Sequence, residues 1–328
     1  MIKDGILNIN KPADWTSHDA VKLLRRITGQ KRIGHTGTLD PMATGVLPVC
    51  FGPATRIMEY LDLDFKKYRC SLRLGIETDT LDIWGEVLKE SSFDQVTEHD
   101  IHKAFEEFKG NISQIPPKYS AIKVAGRKLY DYARAGEEVE IKPRDVYIDE
   151  LEIEEINLDA GEITFTVVCS KGTYIRSICK DVGLNLGCGA AMCALERLAS
   201  GVFSVEDAID LESLRTASVE DIEKLLYPAD YPLVHFGQGM VDRHGAKWFV
   251  NGGWLELRRV DIEKRPEFEN PEENDFLPHN YTRNCVCYTG THDNDTTLGW
   301  YQKAYEASKD KLRRYFSTDA SDICWVMI

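Results

Sequence analysis

Apolar and polar positions along this 328-residue chain change period several times, and each change predicts an element. Gly5 to Lys11 is a short, mostly apolar run stopped by Pro12, which reads as a strand. From Thr16 the period turns helical. Ala20, Val21, Leu24 and Ile27 form an apolar stripe, Thr16 and Asp19 stand at capping-box spacing, and Gly29 closes the run. Residues 34–45 show no period; their three glycines, one proline and three threonines predict an ordered loop. Tyr68, Cys70, Leu72, Leu74 and Ile76 then alternate with Arg69, Ser71 and Arg73, a strand with one apolar face. Ile163 to Cys169 reads as another strand, and helices are expected near 97–109, 174–186 and 218–226. The elements interleave without a regular βαβ rhythm. That predicts an α+β fold, with a mixed, mainly antiparallel central sheet flanked by helices. No internal repeat is visible. Beyond about residue 255 the character changes: 254–275 is charged, contains two prolines and reads as a linker, and a new pattern starts at Phe276.

Composition narrows the class. Hydrophobic residues make up 43% of the chain, enough for a sizeable core. No apolar run approaches the roughly 20 residues of a membrane span, and the N-terminus lacks an apolar leader. A soluble, cytoplasmic protein is expected. None of the nine cysteines forms a Cys-x-x-Cys pair, and Cys285-x-Cys287 is the closest spacing. They read as reduced, small apolar residues, and no metal site is expected.

The net charge of −14 argues against a nucleic-acid partner, but its distribution reopens the question. Residues 1–58 hold eight Lys or Arg against four Asp or Glu, while acid concentrates in Glu137-Glu138-Val139-Glu140 and Asp149-Glu150-Leu151-Glu152. Exposed charges act over a Debye length of roughly 8–10 Å, so an acidic chain can still carry a basic groove.

The loop at 34–45 holds one carboxylate, Asp40, between Leu39 and Pro41. Periodicity alone makes it an Asp in a turn. The string Gly34-His35-Thr36-Gly37-Thr38-Leu39-Asp40-Pro41-Met42-Ala43-Thr44-Gly45-Val46-Leu47-Pro48, however, closely resembles the active-site motif of the TruB family of tRNA pseudouridine synthases. Four further segments match in order: Leu7 to Pro12 with Thr16 to Asp19; Lys67-Tyr68-Arg69 with Gly75 to Asp82; Gln114 to Lys123; and Cys169 to Arg176.

The resemblance implies a pseudouridine synthase fold and cofactor-free isomerisation of uridine 55 in the T-loop of tRNA. The C1′–N1 bond breaks, the base turns, and it rejoins through C5. Asp40 is then the essential carboxylate, either as a nucleophile on the sugar or as a base for a ribose proton; both roles need it ionised. Arg176 is implied as the active-site arginine, with Asp82 as its planar, bidentate partner. Tyr68 is implied as the ring that stacks on the flipped uracil, although its place on an apolar strand face equally suits a core tyrosine. His35 is implied to open or fill the RNA loop, where a loop-bracing role is the plain alternative. Lys11 and Lys171 suit phosphate contacts, though solvated lysines would look the same. Leu195 resembles the pocket-wall leucine; Glu196 departs from the family's usual arginine. Residues 85–145 resemble an insertion that grips the T-loop, with Lys118, Lys123, Arg127 and Lys128 among Tyr119, Tyr130 and Tyr132. The expected partner is tRNA alone, with no membrane, and the expected state a monomer.

The resemblance covers residues 1 to about 253: a catalytic domain over 1–230 and a remnant of the family's C-terminal domain over 231–253. Phe276 to Tyr281 and Tyr288 to Tyr301 resemble instead 4-α-glucanotransferase (amylomaltase), a (β/α)₈-barrel enzyme. There Asp293 matches its third acidic residue and His292 a sugar-binding neighbour. Retaining glycosyl transfer needs two carboxylates flanking the bond, and one strand-loop-helix piece closes no barrel. The tail over 276–328 is therefore expected to be an inactive fragment, joined by fusion, deletion or assembly error. A glucan enzyme and a non-catalytic tRNA-binding module are the competing readings.

Overall fold

The computed structural model describes residues 4–63, 65–234 and the short stretches 239–241, 246 and 260–262. The chain divides into two compact units, Met1–Leu233 and Val234–Ile328. In the second, β15 (Gly239–Val241) pairs antiparallel with β16 (Val260–Ile262), so a strand falls within the expected 254–275 linker. The expected tail, with His292 and Asp293, lies outside the described residues, as do Cys285 and Cys287.

The first unit runs β1 (Gly5–Lys11), α1 (Ser17–Thr28), β2 (Ile33–His35), β3 (Thr44–Phe51), a 3₁₀ stretch (Gly52–Leu63), β4 (Lys66–Leu74), β5 (Ile76–Thr78) and β6 (Val87–Glu90). It continues with α2 (Glu98–Glu106), β7 (Gly110–Gln114), β8 (Lys123–Val124), β9 (Arg127–Lys128), α3 (Leu129–Ala135), β10 (Arg144–Asn157) and β11 (Glu162–Cys169). Last come α4 (Ile175–Asn185), β12 (Ala190–Ser200), β13 (Phe203–Ser204), β14 (Ile209–Asp210) and α5 (Val219–Lys224).

A ten-stranded sheet organises the unit, in the order β14-β1-β3-β12-β4-β11-β10-β7, with β2 on β3 and β13 on β12. Only the β1–β14 and β3–β12 pairs are parallel. This is the mixed, mainly antiparallel sheet the sequence predicts. Alternation on β4 explains its layering. Tyr68, Cys70, Leu72 and Leu74 are buried against the helices, while Arg69 and Arg73 point away and pair with Glu154 and Glu162. One main core joins this face to Val21 and Leu24 of α1, Ile101 and Phe105 of α2, and Ile178 and Val182 of α4. A smaller core of Ile6, Val46, Cys50, Ala54 and Phe203 covers part of the other face.

The strand expected over 68–76 ends earlier. Gly75, at φ +80°, breaks it after Leu74, and Ile76 starts β5, which pairs with β6 instead. Of the insertion expected over 85–145, α2 and β7 belong to the core and main sheet. Exposed β6 pairs with β5 in a separate two-stranded sheet, and residues 115–143, with β8, β9 and α3, also lie off the main sheet.

Candidate active site

The loop after β2 is held from several sides. Ser17, the first residue of α1, both accepts from the Leu39 N–H (2.9 Å) and donates to the Leu39 carbonyl (3.2 Å). Lys11, at the end of β1, has no exposed surface, and its ammonium donates to the carbonyls of Pro12 (2.8 Å), Trp15 (2.6 Å) and Pro41 (3.0 Å). A turn bond from Ala43 N–H to Asp40 O (3.1 Å) and one from Thr36 N–H to Pro48 O (3.0 Å) complete the frame. Lys11 is thus a brace beneath the loop: three backbone carbonyls use its three N–H groups, and the expectation that it touches phosphate does not fit. Burial pushes its pKa down to about 8.

Asp40 is left with its carboxylate one-third exposed in a cleft of about 400 Å³. Arg176, the second residue of α4, reaches it with Nε at 2.9 Å from Oδ2. The remaining donors are fixed from behind: Nη1 gives to the Thr80 carbonyl (2.9 Å) and Nη2 to that of Tyr119 (3.1 Å). Asp82 lies 3.7 Å from Nη1, so the bidentate Arg176–Asp82 pair expected from sequence is replaced by single contacts to two carboxylates, with Asp40 the nearer. Asp82 is buried and accepts from Thr80 Oγ1 (2.7 Å) and the Trp84 N–H (3.2 Å). Burial raises its pKa against those donors and Arg176.

The N-terminus of α4 is itself pinned. Gln114 donates to the Tyr174 carbonyl (2.9 Å) and accepts from its N–H (2.8 Å), and Ser177 Oγ donates to the Ile115 carbonyl (2.9 Å).

Tyr68 is at once a core residue and a cleft residue. Its ring belongs to the main core, yet it lines the same cleft as Asp40 and Arg176. Burial raises the phenol pKa, Arg197 opposes the rise, and Asp40 adds to it. Lys171 at the exposed rim and Leu195 in the wall line the cleft too. His35 ends β2 and is not among the lining residues; its Nδ1 is buried and makes no hydrogen bond, and burial with the Arg197 charge lowers its pKa. Among the described residues no cluster of His, Cys, Asp and Glu could hold a metal ion, and no helix is long and apolar enough to cross a membrane.

Comparison with known proteins bears on the chain as a whole. Residues 25–175 match the model of the TruB family pseudouridylate synthase N-terminal domain. Residues 176–234 match that of the tRNA pseudouridylate synthase B C-terminal domain. A tRNA pseudouridine synthase B of Alkaliphilus oremlandii is 48% identical over 249 residues, covering 76% of this chain and 82% of that protein. The chain belongs to the TruB family of pseudouridylate synthases. Its family relatives include a tRNA pseudouridine synthase B of Clostridium tetani, 44% identical over 78% of this chain and 87% of that one. Among solved structures, a Cbf5-Nop10-Gar1 complex contains a chain with a TM-score of 0.61 and 28% identity, covering 78% of this chain and 69% of that one. An H/ACA ribonucleoprotein bound to a substrate RNA containing 2′-deoxyuridine gives 0.59 and 26%, over 79% and 69%. The pseudouridine synthase fold expected from the motifs is therefore the fold of this TruB-family chain. Residues 260–328 match the 4-alpha-glucanotransferase model, as the tail's motifs suggest.

Several cleft residues escaped the sequence reading, among them Lys66 and Arg197. Arg197 is fully buried on β12, two positions after Leu195. Two-residue spacing on a strand puts both on one face, and that was the available signal.

Proposed function

We propose that this chain isomerises uridine 55 in the T-loop of tRNA to pseudouridine, with Asp40 as the catalytic carboxylate. The observation that supports this best is the 2.9 Å contact of Arg176 Nε with an Asp40 oxygen that still faces an open cleft shared with Tyr68. In this reading an everted nucleotide enters the cleft with its ribose against Asp40 and its uracil against Tyr68. Stacking on such a ring is worth roughly 1–3 kcal/mol, against the few kcal/mol needed to extrude a base. Asp40 attacks C1′ or takes a ribose proton, and both routes release N1 from the sugar. The uracil turns and its C5 bonds to C1′ as Asp40 leaves C1′ or returns the ribose proton; C5 then gives up its proton to water while N1 takes one up, so the product is an isomer of the substrate.

Arg176 keeps the Asp40 carboxylate aimed, Leu195 closes the wall, and Lys171 takes a phosphate at the rim. His35 helps to open or fill the RNA loop, and Asp82 acts from behind Arg176. No cofactor enters this scheme. The enzyme works as a cytoplasmic monomer on tRNA, and residues 276–328 take no part.

Tritium release from tRNA labelled at uridine C5 tests the reading. The intact chain is expected to release it and Asp40→Asn to release none; release by both proteins, or by neither, removes the assignment. The tail's match favours one competing activity, and disproportionation of maltotriose by the purified chain would establish it.

A further inference from the structure

Arg197 is the largest fully buried side chain of the described residues, and the scheme above leaves it without a task. On β12 it stands in register with Gly45 of β3 on one side and Tyr68 of β4 on the other. Residues opposite each other on paired strands project to the same face, so guanidinium and phenol meet at the cleft wall. Nε donates to the Val46 carbonyl (2.6 Å) and Nη2 to the Gly37 carbonyl (3.2 Å). Nη1 is buried and completes no hydrogen bond. Among the described residues no carboxylate forms an ion pair with this guanidinium.

A buried cation without an anion is costly, and an apolar side chain would fill the space with less penalty. The loop nonetheless leaves room for it: a Cβ on Gly37 would lie 3.3 Å from Nη1. Gly45, at φ +101°, serves the strand beside it, since a Cβ there would lie 2.2 Å from the Arg197 carbonyl oxygen.

A guanidinium can only donate hydrogen bonds. A hydroxyl beside it presents its oxygen to the cation and turns its own O–H away. We propose that Arg197 is a positioning residue that points the Tyr68 hydroxyl into the cleft as a donor to the nucleotide and, through Gly37, keeps the Asp40 loop at one spacing from that phenol. This rests on the placing of Tyr68 against the nucleotide proposed above and adds a task for its hydroxyl. Arg197 touches no reacting atom; it acts through Tyr68 and the loop.

The test is a double-mutant cycle on the full chain, read by single-turnover rate, tRNA Kd and thermal midpoint. Arg197→Lys keeps the charge and loses the planar fork. It is expected to slow the single turnover by about 10- to 100-fold with Kd within about two-fold of the parent. In a Tyr68→Phe background the same change should cost less than about three-fold, because the hydroxyl it serves is gone. Multiplicative losses, an effect confined to Kd, or an Arg197→Lys chain that does not fold would each overturn the proposal, the last by making the arginine a fold-holding residue. A Tyr68→Phe enzyme that reacts at the parental rate would leave the stacking ring in place but show that the hydroxyl has no task, and would overturn the proposal for Arg197.

Discussion

At the scale of single residues, the site is a problem of buried cations. Lys11, Arg176 and Arg197 have almost no exposed surface, and only Arg176 pairs with carboxylates. Lys11 instead spends its charge on three backbone carbonyls, and that choice has a measurable pH signature. Its ordinary pKa of 10.5 falls to about 8 in the fold. Between those values the unfolded chain holds a proton that the folded chain lacks, so this group's contribution to stability rises with pH across the window. Its penalty is fully present below pH 8 and is relieved towards 10.5. Tyrosines and cysteines also titrate there, so the comparison must be differential. Urea unfolding at pH 8 and pH 10 is expected to show the parent gaining on the order of 1–3 kcal/mol relative to Lys11→Met on going to the higher pH, from about 1.4 kcal/mol per pKa unit. A stability difference that stays constant between the two pH values would show that Lys11 does not titrate in this window.

At the scale of elements, the fit of α4 against β12 sets where Arg176 points. A Cβ on Gly183 would lie 2.1 Å from the Ala190 N and 2.4 Å from the Gly189 carbonyl carbon, both backbone atoms that cannot swing aside. Gly183→Ala is therefore expected to displace α4, destabilise the protein by roughly 1–3 kcal/mol and slow tritium release as Arg176 shifts. Leu184→Ala, at a neighbouring exposed side chain, should stay within about 0.5 kcal/mol of the parent in urea unfolding. Equal effects at the two positions would refute the packing argument. The same scale shows what the sequence could reveal. Helix α1 was legible to its ends because its signals are local: Thr16 and Asp19 cap it reciprocally, and Gly29 closes it at φ +68°. Strand β3 was hidden because both its faces are covered, Val46 and Cys50 by one core and Leu47, Val49 and Phe51 by the other, so nothing alternates. Strands β10 and β12 were hidden by register shifts, near Asp149 and Glu154 in the first and at Cys193 and Leu198 in the second, which break the two-residue period. Asp40, Tyr68 and Arg176 come from three elements far apart in the chain, and only motif likeness, not periodicity, could bring them together.

At the scale of the whole molecule, everything the proposed reaction needs lies within Met1–Leu233, one of the two compact units. A chain ending at residue 234 is therefore expected to fold and to release tritium in a single turnover at a rate within about three-fold of the full chain, with any deficit confined to tRNA affinity. Single-turnover assays at saturating tRNA check this; a loss of rate there would place part of the chemistry beyond the first unit. Net charge carries little weight in that outcome, since the acidic surface strands and the loop frame serve different ends. One arrangement has a bearing on how such enzymes diversify. The off-sheet segment 115–143 joins the core through Gln114 and the Ile115 and Tyr119 carbonyls, each bound to the first turn of α4 or the residue before it. Mutations in the tip from about 121 to 143 leave those ties untouched. Sequence change can thus accumulate at that tip while the arginine beside Asp40 stays where it was.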